Sequence, residues 1–397
     1  MEKTQCASFE FALSWQSEVA HHHDRYFINS VDIGRNTLPD RIMPDLCQLD
    51  VGKSCTTSFA AGELVSPHDT NRIRTFPDRL FEGRQRLMSI EPRIGRFYPQ
   101  GFASEALCCH KNNFTPFRLI GKAAGQLTGD LNHPLARYPL TLTAHYLEAK
   151  PIQTGSHSTI TDMLLAKGSG LQVPYPGTRS DFYSSYPFIR MDNRADNQFY
   201  SNPRMVNHLD KTALAEVSRL YARLLYSGMK ILDLMSSWTS HLPASLTDLH
   251  VTGLGMNQAE LEANPRLQTR LVQNLNQQPQ LPFADRQFDA VICTVSVEYL
   301  TQPLAVMREI ARVTRLGGIV VMTFSDRWFP TKVVDIWTEM HPFERQGLVL
   351  DYFLRTGCFS HLHTESIQGL PRPKDDPHIR EKNLSDPVFA VWGRVSG

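Results

Sequence analysis

The stretch Lys230-Ile231-Leu232-Asp233-Leu234-Met235-Ser236-Ser237-Trp238 decides the fold. Its first half is a short apolar run with one acidic residue, and its second half is a polar turn. A run of this length bounded by turn residues reads as a buried strand. The pattern repeats outward from it. Strands are predicted at 230–235, 251–256, 271–274, 288–295 and 318–324. A helical stripe of Leu209, Leu214, Val217, Leu220, Leu224 and Leu225 precedes the first strand, and a helix is predicted at 303–314. Strands alternating with helices at this spacing imply an α/β fold with a parallel, doubly wound sheet. A helix at 347–356 and strands at 361–367 and 388–394 follow, the last two expected as an antiparallel terminal hairpin.

In such sheets ligands sit at the carboxyl ends of the strands, so the residues after each strand are the candidates. After the first come Asp233, Met235, Ser236, Ser237, Trp238 and His241; after the second, Gly255, Met256 and Asn257. After the third come Asn274, Leu275 and Asn276; after the fourth, Val295, Ser296, Glu298 and Tyr299; after the fifth, Ser325 through Phe329, including Arg327 and Trp328.

Two further runs carry a resemblance. Gln280-Leu281-Pro282-Phe283-Ala284-Asp285-Arg286-Gln287-Phe288-Asp289-Ala290-Val291 is followed by Arg308-Glu309-Ile310-Ala311-Arg312-Val313 and then Arg315-Leu316-Gly317-Gly318. With the Asp233 strand, these make residues 199–397 resemble class I S-adenosylmethionine-dependent methyltransferases of the type 11 kind. The resemblance implies a Rossmann-like sheet, mostly parallel with an antiparallel C-terminal hairpin, and S-adenosyl-L-methionine as cofactor. Two family features are replaced. Met235-Ser236-Ser237 stands where the family has Gly-x-Gly, whose glycines admit close backbone approach. Gly255, with Asn257 two residues on, stands where an acidic residue would hold the ribose. The substitutes are polar and keep hydrogen-bonding capacity.

The resemblance implies a cofactor site made by Tyr200, Arg204, Asp233, Met235, Ser236, Ser237, Trp238, Gly255, Met256, Asn257, Asn274, Leu275, Asn276, Val295 and Ser296. It places His241, Tyr299, Arg327 and Trp328 on the acceptor side, with His241 the candidate base and Arg327 a candidate attractor for an anionic acceptor. Methyl transfer needs alignment and exclusion of water more than it needs a base. The lack of a strong base constellation favours an intrinsically reactive small-molecule acceptor, such as sulfide or a small thiol. O- or N-methylation of another metabolite stays open. So do a module that holds the cofactor without catalysis and a chaperone-like protein. NAD is disfavoured, because no Gly-x-Gly-x-x-Gly follows the first strand.

The N-terminal part has a different texture. Residues 1–46 are read as an extension with a short helix at 9–19. Strands are predicted at 54–59, 114–120, 125–131 and 140–149, with 66–95 as loop. Asp130-Leu131-Asn132-His133-Pro134-Leu135-Ala136 before an alternating strand, together with Leu49-Asp50-Val51-Gly52-Lys53, resembles FKBP-type peptidyl-prolyl isomerases over 47–150. That implies a small, mostly β domain, with Asn132-His133-Pro134 as the turn between two strands. Arg137 replaces the expected glycine, which argues for a substrate-covering, folding-assisting or dimerising module rather than an isomerase. Residues 151–198, rich in Gly, Pro, Ser and Tyr, are expected as an ordered connector.

Composition excludes other classes. Of 397 residues, 41 are Lys or Arg and 40 are Asp or Glu, a net charge of +1 that disfavours nucleic acid as partner. No run reaches the ~18–20 apolar residues of a membrane span, and no secretory leader is visible. Seven cysteines without a CxxC pair suit a reducing, cytoplasmic setting. Cys108-Cys109 are expected as buried thiols and His21-His22-His23 as a solvated segment; no metal site is expected. Oligomeric state is not legible.

Overall fold

The computed structural model describes residues 6–32, 39–85, 88–150 and 168–397. The chain forms two compact units, each assembled from separate segments. The first comprises Met1–Glu18, Ser30–Pro187 and Thr338–Leu348, and the second Val19–Asn29, Phe188–Trp337 and Val349–Gly397. These units cut across the consecutive blocks expected from composition, because two long strands lie within residues 1–46: β1 (Cys6–Gln16) and β2 (His21–Asp32).

β1 belongs to the first unit and corrects the helix expected at 9–19. Phe9, Phe11, Leu13 and Trp15 alternate and are all buried, a period-two pattern that suits a strand. The other strands of this unit are β3 (Ser54–Phe59), β4 (Ile73–Pro77), the two-residue β5 (Arg84–Gln85) and β6 (Met88–Ser89), β7 (Phe97–Pro99), β8 (Pro116–Ala123), β9 (Gln126–Asp130) and β10 (Leu140–Lys150). β10 pairs antiparallel with both β1 and β3. β4, β9, β8 and β7 form a second sheet in that order. β9 and β10 therefore lie in different sheets. Asn132-His133-Pro134 is the link from one sheet to the other, not a hairpin turn. Asn132 bonds Asp130 and the Asp69 backbone, and the His133 ring accepts from the Leu135 N–H. Cys108 is exposed and Cys109 half-buried, against the expectation of two buried thiols. Residues 151–167 of the expected connector lie outside the described residues. Residues 168–187 are a string of turns.

The second unit contains β11 (Lys230–Leu234), β12 (His250–Gly255), β13 (Leu267–Val272), β14 (Phe288–Thr294), β15 (Thr314–Phe324), β16 (Phe359–Gln368) and β17 (Val388–Val395). Its strand order is β13-β12-β11-β14-β15-β17-β16-β2. The first five are parallel to their neighbours, and β17 pairs antiparallel with both β15 and β16. The third strand runs from Leu267, earlier than expected. The unit is mixed α/β with one large sheet.

The added strand β2 lies parallel to β16, with His21 opposite His363. This corrects the reading of His21-His22-His23 as a solvated segment. His22 is buried against the Thr364 hydroxyl at 2.8 Å, and His21 stacks on His363 at 5.1 Å. Burial, helped by His21 and His363, lowers the His22 pKa to about 3. Among the described residues no cluster of His, Cys, Asp or Glu could hold a metal ion.

Ile231, Val251, Ala290, Ile292, Ile319 and Val321 form the centre of the second unit's core. Each fully buried aliphatic side chain contributes on the order of 1.5–3 kcal/mol. The helix Lys211–Leu224 lies on this core, capped at its start by Asp210, which accepts from Thr212 and Ala213. Its Tyr221 is fully buried, and its hydroxyl meets Thr294 at 2.6 Å and Thr323 at 3.5 Å. Among the described residues no helix is long and apolar enough to cross a membrane.

Tyr221→Phe removes the group that joins this helix to the ends of β14 and β15. We expect urea unfolding to report a loss of about 1–3 kcal/mol, the cost of leaving a buried hydroxyl unpaired.

Candidate active site

The site begins where β11 ends. The chain turns sharply at Met235, whose φ of 56° lies in the left-handed region that glycine adopts freely. A non-glycine residue there costs roughly 1–2 kcal/mol. Hydrogen bonds hold the turn in that state. Ser236 N–H donates to the Leu254 carbonyl at 2.8 Å. The Ser236 and Ser240 hydroxyls both donate to one oxygen of the buried Asp233 carboxylate, at 2.7 and 2.6 Å. Asn264 donates to the Ser237 carbonyl and the Ser240 hydroxyl. The serines that replace the family's glycines thus build the turn. Val295, at the end of β14, and His241 also have positive φ, 49° and 54°. Strained backbone of this kind clusters at functional sites.

Gly255 closes the turn from below. A Cβ there would lie 2.2 Å from the Ser236 carbonyl oxygen. Its lack of a side chain is required by the approach of the β11 turn.

These strand ends open into a cavity of about 380 Å³, within the ~300–1,000 Å³ of small-molecule sites. Of the candidates named after the strands and before the first helix, all line it except Asn257, Glu298, Ser325 and Asp326. Asn257 is instead the N-cap of the helix Gln258–Ala263, accepting from Glu260 N–H, while its amide donates to the Tyr200 and Ser201 carbonyls. The Asn276 side chain lines the cavity but is consumed by Asp196, Tyr299 and Thr301. Glu298 lies behind the wall, 1% exposed, and Ser325 is tied to the Pro387 carbonyl.

Sequence reasoning missed seven polar lining residues: Asp196, Asn207, His208, Thr239, Glu260, Gln273 and Thr294. Only Glu260 had a signal, since Asn257-x-x-Glu260 has the spacing of a capping box. Glu260 accepts from the Ser237 hydroxyl at 2.6 Å and from Arg204 N–H at 2.7 Å. It therefore clamps the 199–208 segment onto the turn. The Trp238 indole assists by donating to the Val206 carbonyl at 3.1 Å.

Burial sets the protonation states. It raises Asp233 to about 6, against the pull of the two serine hydroxyls. It lowers His241 to about 4, helped by His208, and lowers His208 too. Both imidazoles are neutral near pH 7. Burial also raises Tyr299 well above the usual phenol range, and its oxygen accepts from Phe329 N–H at 2.8 Å. Tyr299 thus holds the aromatic segment 327–329 rather than acting as a base. The Arg204 guanidinium lies 4.5 Å from the Phe199 ring centroid and 5.4 Å from that of Phe329. Its Nη1 is buried without a hydrogen-bond partner. No carboxylate among the described residues pairs with Arg327, which lines the same cavity.

The methyltransferase domain family matches residues 236–322, the stretch from the turn to the fifth parallel strand. The chain carries a methyltransferase domain over this stretch. No curated protein matches the chain. Among solved structures, it resembles a putative methyltransferase from Bacillus halodurans C-125 at 13% identity and TM-score 0.33, covering 46% of this chain and 99% of that one. It also resembles an S-adenosylmethionine-dependent methyltransferase from Aquifex aeolicus, at 14% identity and TM-score 0.31, covering 51% and 97%. A third is geranyl diphosphate C-methyltransferase from Streptomyces coelicolor A3(2), at 13% identity and TM-score 0.33, covering 50% and 97%. At these scores the likenesses carry no argument about chemistry.

The residues present fit the cofactor of the methyltransferase domain. The unpartnered Arg204 nitrogen suits a carboxylate. Asp233 and Glu260 bring negative charge to the wall, and Tyr200, Trp238, Tyr299, Trp328 and Phe329 bring aromatic faces that suit a sulfonium.

Two outcomes test this geometry. Gly255→Ala, by displacing the turn, is expected to weaken cofactor binding at least tenfold in calorimetry, roughly 1.4 kcal/mol or more. For Asp233, whose ordinary value is 3.8, the folded pKa is the higher one, so the folded state binds more protons. Its contribution to stability therefore falls as pH rises from about 4 to about 6. His241 has the opposite sign over nearly the same range, so the comparison must be between variants. Asp233→Asn should remove a downward slope totalling on the order of 2–3 kcal/mol. Parallel unfolding curves for both proteins across that range would refute the raised value.

Proposed function

We propose that the methyltransferase domain transfers a methyl group to a small-molecule acceptor, and that a small thiol or sulfide, reacting as its anion, is the best candidate. The observation that carries this reading is the cavity's charge pattern. Two guanidiniums line it, Arg204 and Arg327. Its carboxylates are each engaged within the protein, Asp196 by Arg190 and Lys332, Asp233 by Ser236 and Ser240, and Glu260 by Ser237 and the Arg204 N–H. Both of its histidines are held neutral by burial.

When bound, the cofactor supplies a sulfonium-activated methyl group. The chain's own residues do the rest. Arg204 meets the cofactor's carboxylate. The turn 235–238 and the strand end 255–256 cradle the body of the cofactor, with Ser236 and Ser237 already fixed by Asp233 and Glu260. Backbone groups of Asn274, Leu275 and Asn276 would hold its adenine. Trp328 and Phe329 wall the reacting centre and exclude water, with Phe329 pinned by Tyr299. Arg327 draws the anionic acceptor. An acceptor that arrives as its anion has no proton to lose. That removes the need for a base, and His241 with a pKa of about 4 is a weak one. O- or N-methylation of a neutral acceptor would need a stronger one.

For the finer architecture we propose the Rossmann-like class I arrangement for the second unit, which its five parallel strands and terminal hairpin support. For 47–150 the FKBP-like resemblance is kept as a proposal without isomerase chemistry, since its signature segment serves as a link between sheets. A cytoplasmic location agrees with the seven free cysteines.

Purified full-length protein with labelled cofactor is the test, offered hydrosulfide, small thiols, amines and phenols. Methylated thiol or sulfide and equimolar S-adenosylhomocysteine are expected. Arg327→Gln should lower kcat/KM for the thiolate at least tenfold while leaving cofactor affinity within about twofold, since one removed charge contact is worth roughly 1.5–3 kcal/mol. Transfer to amines or phenols with none to thiols would overturn the acceptor assignment. Cofactor binding with no transfer to any acceptor would overturn catalysis itself.

A further inference from the structure

A second cavity lies in the first unit, far smaller, with a volume of about 20 Å³. Arg118, Arg137, His68, Phe97 and Tyr175 line it. Arg118 is 6% exposed, yet no carboxylate among the described residues lies within ion-pairing distance of it. Its Nη2 donates to the Val173 carbonyl at 2.5 Å, and its Nε has no hydrogen-bond partner. The guanidinium lies 4.1 Å from the Phe97 ring centroid and 5.7 Å from that of Tyr175. Arg137 approaches the same Tyr175 ring at 6.0 Å, and its Nη2 is 2.6 Å from the His68 ring.

The nearby acids do not neutralise this arrangement. Asp130 also lines the cavity, but one of its oxygens takes both the backbone and the amide N–H of Asn132, and the other is 3.6 Å from His68. Glu344 influences Arg118 through space, but its carboxylate is bonded to Arg96 and to Phe97 N–H. A buried charge without a partner is costly. Burial accordingly lowers the Arg118 pKa to about 10.

We propose that this cavity is a binding site for a compact monoanion, a halide ion or the carboxylate of a small molecule, held between Arg118 and Arg137. The volume sets the size, since a void needs about 10–15 Å³ to admit a particle as large as water. So small a void favours a halide, or one oxygen of a carboxylate, over a larger anion. The wall supplies the chemistry: an open Nε donor, a second guanidinium at the exposed rim, and aromatic rings in place of water. The site also joins distant parts of the unit's sequence. Arg118 and Phe97 come from β8 and β7, whereas Val173 and Tyr175 come from the turns at 168–187. An anion between the two arginines would therefore fasten those turns to the sheet.

The test uses the full chain and three sodium salts at one ionic strength: bromide, acetate and a bulky sulfonate. Bromide is expected to raise the melting temperature saturably over the sulfonate, by roughly 2–4 °C, and to slow proteolysis within 168–187. A crystal grown in bromide should give an anomalous peak beside Arg118. Arg137→Gln, an exposed position, should weaken the bromide response at least fivefold, and Arg118→Met should abolish it. If Arg118→Met does not fold, Arg137→Gln and the anomalous map decide alone. Equal response to acetate identifies a carboxylate site, and response to bromide alone a halide site. Identical behaviour in all three salts, or an undiminished bromide response in Arg137→Gln, would overturn the proposal.

Discussion

Two serine hydroxyls on one buried carboxylate hold the larger cavity in shape. Asp233 sits at the end of the central strand, and Ser236 and Ser240 both donate to a single oxygen of it. Those bonds, with the Ser236 N–H on the Leu254 carbonyl, fix a turn that places Met235 at positive φ. Glycine adopts that conformation at no steric cost. Here the hydrogen bonds of the turn offset the strain. The arrangement then propagates outward. Ser237 is fixed, so Glu260 is fixed, and through Glu260 the backbone of Arg204 is fixed as well.

The sheet is what makes this tolerable. Strained residues persist only where their surroundings over-determine them. Val295 has positive φ despite its branched side chain, yet its N–H is bonded to the Thr323 carbonyl, one strand over. Met235, between β11 and β12, is followed by Ser236 bonded to Leu254. In both places the neighbouring parallel strand reaches past the strained residue and takes the hydrogen bond. Parallel register therefore does two things at once. It aligns the strand ends at one edge, and it secures the irregular backbone that lines the cavity.

Much of this was legible in the sequence. The second unit's strands repeat apolar runs at regular spacing, and the polar residues after each run were visible as a set, so the part of the cavity lining that follows the strand ends could be named. Three things were not legible. Asn257 looked like a ribose ligand because it follows a strand, but it also precedes a helix, and capping took both ends of its side chain. His208 and Asp196 come from segments before the first strand, whose approach to the cavity depends on tertiary packing that no local pattern encodes. The N-terminal strands were obscured for a different reason. β1 buries residues on both faces, which blurs its alternation. β2 owes its place to β16, more than 300 residues away in sequence, a pairing no local pattern could give.

Burial gives the two kinds of cation in the larger cavity different fates. A histidine loses its charge when water is removed, because its ordinary pKa lies near neutrality. An arginine keeps its charge under the same treatment, because its pKa is many units higher. The wall thus combines two imidazoles driven neutral with two guanidiniums that stay positive. Arg204 is stacked on Phe199 and Phe329, which removes water from its faces and leaves its edge for an anion. Arg327 remains after that edge is occupied, in a chamber that also receives a sulfonium. The carboxylates in the same wall are engaged by protein donors, Asp233 by two serines, Glu260 by Ser237 and Asp196 by Lys332. A neutral acceptor would therefore have to lose a proton to a group already hydrogen-bonded or, like His241, to one that holds protons poorly. On the proposed reading an acceptor that arrives already anionic needs no such proton transfer, and Arg327 is the charge left to attract it.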